Sequence, residues 1–412
     1  MSNNSFVKSL LTYISGNTLA QIIPILISPV LTRIYSPDEF ASLALFISVC
    51  SILAVFANFK YSSAIVLANS AKVSKNLISL SIVITCITFC ITFIFLILTN
   101  QNIKAFFESS IMEYWYLIPI TVLFISINEV FIFYCTSKNQ FKNISLYLIL
   151  RSSITAGGNL LLFPFFNNNL ILSHFLGFTL LGVYYLYKLS SLGIHQVSKK
   201  DLLFVARTYS DFPRNKLPQN FFDVLGTNAA IFIIGYYFGS YELGLYALLF
   251  RVMLVPVKFI GVAVGQVIFY ELSKLNKGSY DKIMLTIITI LIASLIPYSL
   301  IYFYSVDMFS IVFGSQWGGA GEYAKIMIPY FMFYLPASAL SFVPTALRKL
   351  KLGFQFSFIG NILTLIIYIV GSQFLELKEI FSLISIILTC YFMFNIIVYL
   401  NLIKINVASL GR

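Results

Sequence analysis

GLYALLFRVMLVPVKFIGVAVGQVIFY, residues 244–270, is apolar over a length that no core helix of a soluble domain requires, yet it carries Arg251 and Lys258. A bilayer core about 30 Å thick is crossed by roughly 20 helical residues, so this stretch spans with length to spare. With no water at that depth to satisfy backbone N–H and C=O groups, it must be helical. Eleven further stretches read the same way, at 10–32, 41–68, 77–99, 114–136, 144–163, 170–189, 219–239, 283–304, 326–347, 354–373 and 380–402. The expected fold class is all-α integral membrane, with about 12 transmembrane helices.

Composition agrees. Of 412 residues 59% are hydrophobic and 10% charged, which leaves almost nothing for a soluble domain. Residues 1–9 (MSNNSFVKS) lead into a span longer than the apolar part of a signal peptide, so that segment is expected to stay in the membrane. Cys50, Cys86, Cys90, Cys135 and Cys390 all fall in apolar stretches, where thiols behave as small hydrophobes. No metal site and no cofactor is implied.

The net charge of +12 would suggest nucleic acid in a soluble protein, but its distribution gives another reading. One set of loops (Lys8, 69–76, 137–143, 188–218, 271–282, 348–353 and the C-terminal tail) holds 19 Lys/Arg and 4 Asp/Glu. The alternate set (33–40, 100–113, 164–169, 240–243, 305–325, 374–379) holds 4 Lys/Arg and 9 Asp/Glu. Basic loops stay cytoplasmic, so both termini are expected inside, and nucleic acid is not an expected partner. Membrane lipids are, through attraction of basic loops to anionic head groups.

The longest basic connection, 188–218, divides the spans six and six. The expected organisation is a first bundle at 1–189, a cytoplasmic amphipathic linker at 190–218 and a second bundle at 219–412. An even number of spans per half gives both the same orientation, as in parallel repeats. IYSPDEFASLALF (34–46) and YFGSYELGLYALLF (237–250) echo one another, each with an acidic residue, Glu39 or Glu242, before an apolar helix opening. The segment 199–218 reads as an amphipathic helix on the inner membrane face, the alternative being a simple tether. Pro24, Pro29, Pro256, Pro336 and Pro344 are expected to bend their spans, and Gly157, Gly158, Gly261 and Gly265 to admit close helix approach. Trp115 and Trp317 are placed at outer span ends, as in an aromatic belt.

Six ionisable residues fall inside the spans: Lys60, Glu129, Arg151, Asp223, Arg251 and Lys258. A charge at a helix centre costs about 2.5–3.5 kcal/mol, so such groups face a wet cavity or a partner. Four of the six are cationic, which suits an anionic or strongly polar solute. The structural alternatives are snorkelling of Lys60 and Lys258, a Glu129–Arg151 ion pair, and contact of Asp223 with water near its span end. Arg251, two turns in from the outer side, has no such exit. No Walker-type phosphate loop is present, and His174 and His195 are too few for a zinc or triad site. The longest outer loop is short of clustered polar groups. An enzyme is the poorer class.

Five stretches together carry a resemblance: LTRIYSPDEFASLALF (31–46), KYSSAIVLANS (60–70), YSDFPRNKLPQNFFDVLG (209–226), residues 235–274, and FGSQWGGAGEYAKIMIPYF (313–331). In this order they resemble polysaccharide-type flippases of the multidrug/oligosaccharidyl-lipid/polysaccharide (MOP) exporter superfamily, above all O-antigen and capsule repeat-unit translocases. The resemblance implies two six-helix bundles around a central cavity and alternating access. It also implies movement of an undecaprenyl-pyrophosphate-linked oligosaccharide from the inner to the outer leaflet of a bacterial inner membrane. Lys60–Tyr61 and Ala64–Ile65 fall where the family shows a basic residue, Tyr and an Ala-Ile pair, and Arg251 falls at its basic position after YAL. The acidic residue that often follows that Tyr is Ser62 here, which leaves a charge pair at that point without its second member.

The substrate-binding candidates are Lys60, Arg151, Arg251 and Lys258; the ion-coupling candidates are Glu129 and Asp223. Expected partners are the lipid-linked oligosaccharide and membrane lipids, with a glycan polymerase and a chain-length regulator as further ones. A multidrug/cation antiporter of the same superfamily would instead favour acidic cavity residues. A membrane glycan polymerase or ligase is the third reading.

Overall fold

A computed structural model describes residues 3–106, 114–165, 169–274 and 276–409, and the described residues contain helices and turns with no strand. The chain divides into two compact units, Met1–Asn228 and Ala229–Arg412. The division falls inside one helix, Leu217–Tyr237.

The first unit opens with α1 (Asn3–Ile34) and α2 (Pro37–Phe56), followed by the single turn α3 (Tyr61–Ala64). It continues through α4 (Ala71–Phe106), α5 (Leu117–Ser137), α6 (Phe141–Leu161) and α7 (Asn169–Ser190) to the short α8 (Lys199–Thr208). Helix α2 starts where local chemistry demands it. Ser36 accepts from the Glu39 N–H, Glu39 accepts from the Ser36 N–H, and Pro37 occupies the first turn. Helix α1 packs on α6, α6 on α7, and α5 lies among α2, α4 and α7. Two clusters fill the unit. One gathers Tyr61, Ile65, Leu77, Phe131, Tyr147 and Tyr185; the other gathers Phe46, Cys50, Leu117, Val122 and Ile171.

The second unit follows from α9 (Leu217–Tyr237): α10 (Gly239–Met253), α11 (Val262–Ser273), α12 (Ser279–Phe313), α13 (Gly318–Leu340), α14 (Val343–Ala346), α15 (Leu350–Gly371) and α16 (Leu377–Ala408). Helix α13 is its hub, touching α10, α11, α12 and α16. The reason is visible at Gly321, where an added Cβ would come within 2.5 Å of the Ser305 carbonyl oxygen on α12. Only a residue without a side chain lets the two backbones lie that close.

Among the described residues ten helical stretches are long and apolar enough to cross a membrane, α10 and α11 together forming one of them. Helices α6 and α9, 21 residues each, match the expected fifth and seventh spans in position and length but are more polar. Large apolar side chains such as Leu98, Phe303 and Ile311 stand fully outward, as a lipid-facing surface requires. The molecule is a multi-pass membrane protein.

The element order repeats. Each unit has a first helix, a second helix that breaks part-way, and four more. The turn between its fourth and fifth carries a non-glycine residue with positive φ, Asn139 (55°) in one and Arg348 (55°) in the other.

Three local expectations give way. The stretch 41–68 is not one helix: α2 ends at Phe56, and Phe59 and Lys60 turn left-handed at φ 45° and 61°. The stretch 326–347 is also interrupted, because Pro344 opens the separate turn α14 instead of bending a continuous helix. Trp317 is 0% exposed, so it is a core residue and not part of an interfacial belt. Hydropathy registers apolar length; it does not register breaks or which ring faces inward.

Helix α8 begins where Ser198 accepts from the Asp201 N–H at 3.2 Å. That hydroxyl, and then the Lys72 ammonium at 3.3 Å, hold the Asp201 carboxyl below its usual range. The helix is amphipathic and docked: Val205 is buried in the first unit's core, while Leu203 and Phe204 are exposed. A π-helical turn, Phe212–Lys216, follows before α9.

Candidate functional site

The break after α2 organises a polar cluster inside the first unit. Left-handed backbone at two non-glycine residues costs about 1–2 kcal/mol each and needs compensation. Asn58 supplies much of it. Its side-chain oxygen accepts from the Lys60 N–H at 2.9 Å and from the Ser62 hydroxyl at 3.2 Å. Its Nδ2 donates to Ser126 Oγ at 2.9 Å and to Glu129 Oε2 at 3.0 Å. The Ala57 carbonyl, left over at the helix end, accepts from Thr88 on α4 at 2.9 Å. Thr85 and Ser126 share a further hydrogen bond of 2.7 Å.

Lys60 completes the arrangement. Its ammonium reaches Glu129 Oε1 on α5 at 3.1 Å, so both oxygens of that carboxylate are held, one by Lys60 and one by Asn58. Lys60 as a residue is 9% exposed, and the Glu129 side chain is 23% exposed. A charge pair so enclosed is attractive only while each member keeps its partner. Snorkelling of Lys60 is therefore excluded. The charge pair that Ser62 leaves incomplete in the sequence is completed from another helix.

The Glu129–Arg151 pair is also replaced. The Arg151 guanidinium on α6 lies 4.9 Å from the centre of the Phe178 ring and 5.7 Å from that of Tyr147. Cation–π attraction is worth about 0.5–2 kcal/mol depending on solvent access. Asn128, beside Glu129, donates to the Phe178 carbonyl at 3.1 Å and so ties α5 to the same turn of α7. Asn58, Thr85 and Ser126 were absent from the sequence-derived candidates. For Asn58 the signal was the run NFKYSS (58–63), which interrupts an otherwise apolar stretch; Thr85 and Ser126 lie singly in apolar helices and gave none.

The other candidates lie on other elements. Asp223 is exposed on α9. In the second unit Arg251 is half-buried on the last turn of α10, and Lys258 is exposed on the π-helical turn Val257–Gly261 that precedes α11. The expected span 244–270 is thus also irregular at its middle, with Arg251 just before the irregularity and Lys258 within it. In both units the second helix loses its regular ladder beside basic residues. Irregular backbone at membrane depth is found where it is buried in protein or lines a wet cavity. Among the described residues no group of three His, Cys, Asp or Glu gathers as a metal site would need.

Sequence and fold comparisons bear on what such a molecule is. Residues 30–322 match the sequence profile described as polysaccharide biosynthesis protein. The chain belongs to the polysaccharide biosynthesis protein family. No curated protein sequence matches it. The fold resembles an inward-facing multidrug-resistance MATE transporter of the MOP superfamily, at TM-score 0.70 and 13% identity over 95% of each chain. It also resembles the lipid II flippase MurJ in an inward closed conformation, at TM-score 0.67 and 13% identity over 99% of this chain and 91% of that one. A MOP superfamily transporter from Pyrococcus furiosus, described for the reverse polarity of its binding pocket, matches at TM-score 0.64 and 13% identity over 98% and 96%. This member of the polysaccharide biosynthesis protein family therefore has the fold of the MOP transporters.

Proposed function

We propose that this protein is a flippase for undecaprenyl-pyrophosphate-linked oligosaccharide repeat units of O-antigen or capsule. It carries them from the cytoplasmic to the periplasmic leaflet of a bacterial inner membrane by alternating access, with both termini cytoplasmic. The observation that carries this reading is a polysaccharide-biosynthesis sequence on a transporter fold. The four-to-two cationic excess among charges inside the spans supports an anionic cargo.

In this reading the saccharide crosses through a hydrophilic path while the polyprenyl tail stays in lipid. Arg151, Arg251, Lys258 and Lys60 offset the pyrophosphate charge along the way. Lys60 is paired with Glu129 in this structure, so that pair must open before Lys60 can meet the substrate. Glu129 is accordingly the first coupling candidate, and Asp223 the second. A glycan polymerase and a chain-length regulator would act on the product.

The test is where lipid-linked repeat units collect in cells lacking the protein, read with a membrane-impermeant sugar-oxidising label on intact cells and on inverted vesicles. Collection on the inner leaflet, relieved by the wild-type protein and not by Arg251→Ala at equal membrane level, is expected. Collection on the outer leaflet would transfer the reading to a polymerase or ligase. Normal export by Arg251→Ala would remove that residue from the path.

A further inference from the structure

One end of the second unit holds a cleft that none of the six span charges touches. It opens where α9 turns into α10 and α15 turns into α16, has a volume of about 710 Å³, and is lined by Tyr237, Phe238, Glu242, Tyr323 and the segment Ser372–Glu379. That volume falls in the range of about 300–1,000 Å³ typical of ligand sites, well beyond the needs of a single ion.

Its lining combines two kinds of surface. Phe374 is 78% exposed at the α15–α16 turn, and Tyr237 is exposed at the α9–α10 turn. Both rings stand at helix ends and line the cleft together with its carboxylates. Around them are Ser372, Gln373, Glu242, Glu376 and Glu379, against a single amine, Lys378. Lys378 is itself engaged by Glu322 at 2.6 Å. The walls are preorganised: Tyr323 donates its hydroxyl to Glu242, and the Glu379 carboxylate accepts the Glu376 N–H at 3.0 Å, which fixes the start of α16.

Flat rings beside carboxylates and an amide match one ligand chemistry closely. The C–H face of a pyranose lies on an aromatic ring, while paired hydroxyls donate to carboxylate oxygens and exchange bonds with an amide. The carboxylate excess disfavours uronic acids and phosphates.

We propose that this cleft is a saccharide-binding site for neutral or amino sugars, receiving part of the oligosaccharide away from its pyrophosphate end. The proposal rests on the flippase reading and extends it. The cationic groups of the spans handle the phosphates, and this cleft holds sugar rings that carry no negative charge. Lys60 plays no part in it.

The experiment uses the full-length protein in detergent and the repeat-unit oligosaccharide released from the host's own surface glycan by mild acid, free of lipid and phosphate. Saturation-transfer NMR titration measures its binding. Loss of one stacking ring in Phe374→Ala, or of one charged acceptor in Glu242→Gln, is expected to weaken binding about three- to tenfold. Gly157→Ala, a first-unit change whose added Cβ meets nothing within 4 Å, is expected to leave it unchanged. Phe374 is exposed and Glu242→Gln keeps an acceptor for Tyr323, so both variants are expected to fold, as thermal unfolding checks. Equal binding by wild type and both cleft variants, or no binding to a wild-type protein that translocates normally, overturns the cleft and spares the flippase reading. Binding that behaves as expected in a protein that moves no repeat units overturns the flippase reading and spares the cleft.

Discussion

Lys60 and Glu129 form a pair in which each residue is the reason the other is tolerated. Removing one member of an enclosed pair leaves an uncompensated charge and costs about 3–5 kcal/mol, whereas removing both costs far less. Lys60→Met and Glu129→Leu are each expected to lower the unfolding temperature in detergent sharply, and the double variant is expected to recover most of the loss. Additive losses would show that the two do not depend on each other. Asn58→Ala is expected to be at least as damaging as a lost buried hydrogen-bond partner, about 1–3 kcal/mol, because its side chain serves Lys60, Ser62, Ser126 and Glu129 together. None of these effects follows from residue type alone, since an isolated Asn in a span costs little when it reaches water.

Among the helices, packing sorts glycines that look alike in sequence. At Gly321 a Cβ would meet the α12 backbone at 2.5–2.8 Å, and backbone cannot step aside. Gly321→Val is expected to abolish folded protein, seen as loss of a monodisperse peak on size exclusion. At Gly157 an added Cβ meets nothing within 4 Å. Gly157→Ala is expected to be neutral or stabilising by up to about 1 kcal/mol, the helix-propensity difference. Gly157 was a candidate for close approach by composition and does not use it, while Gly321, which was not a candidate, does. The docking of α8 is another effect at this scale. Tyr61, one residue past the helix break, donates its hydroxyl to the Ala206 carbonyl at 3.0 Å. Tyr61→Phe removes a bond worth about 1 kcal/mol and is expected to speed proteolytic cutting within 199–208. An unchanged cutting rate would mean that Val205 and the Lys72–Asp201 pair hold the helix without this bond.

For the whole molecule the expectation is twelve crossings with the basic loops on the cytoplasmic side. In a cysteine-free background, a thiol placed at Lys200 or Lys349 is expected to resist an impermeant maleimide on intact cells, while one at Gln373 reacts. The reverse pattern would invert the protein and place the saccharide cleft on the wrong face. What was legible at this level is the apolar stretches: ten coincide with helical stretches long and apolar enough to cross, and α6 and α9 match the other two in position, whereas the two compact units divide at Asn228 and not within 188–218. The partners of the span charges were not legible. Residue 60 finds residue 129 across 69 positions, and residue 151 finds the ring of residue 178, in pairings that differ from those the spacing suggested. The division has a physical cause. Transfer from water to lipid is a sum over about 20 consecutive residues, large and local, so the chain alone determined that it crosses the membrane and where. Which buried carboxylate meets which amine, where α2 breaks, and that Trp317 faces inward depend on helices brought together from distant segments. Those details were decided only when the bundle closed and each polar group was matched to the neighbour that packing left beside it.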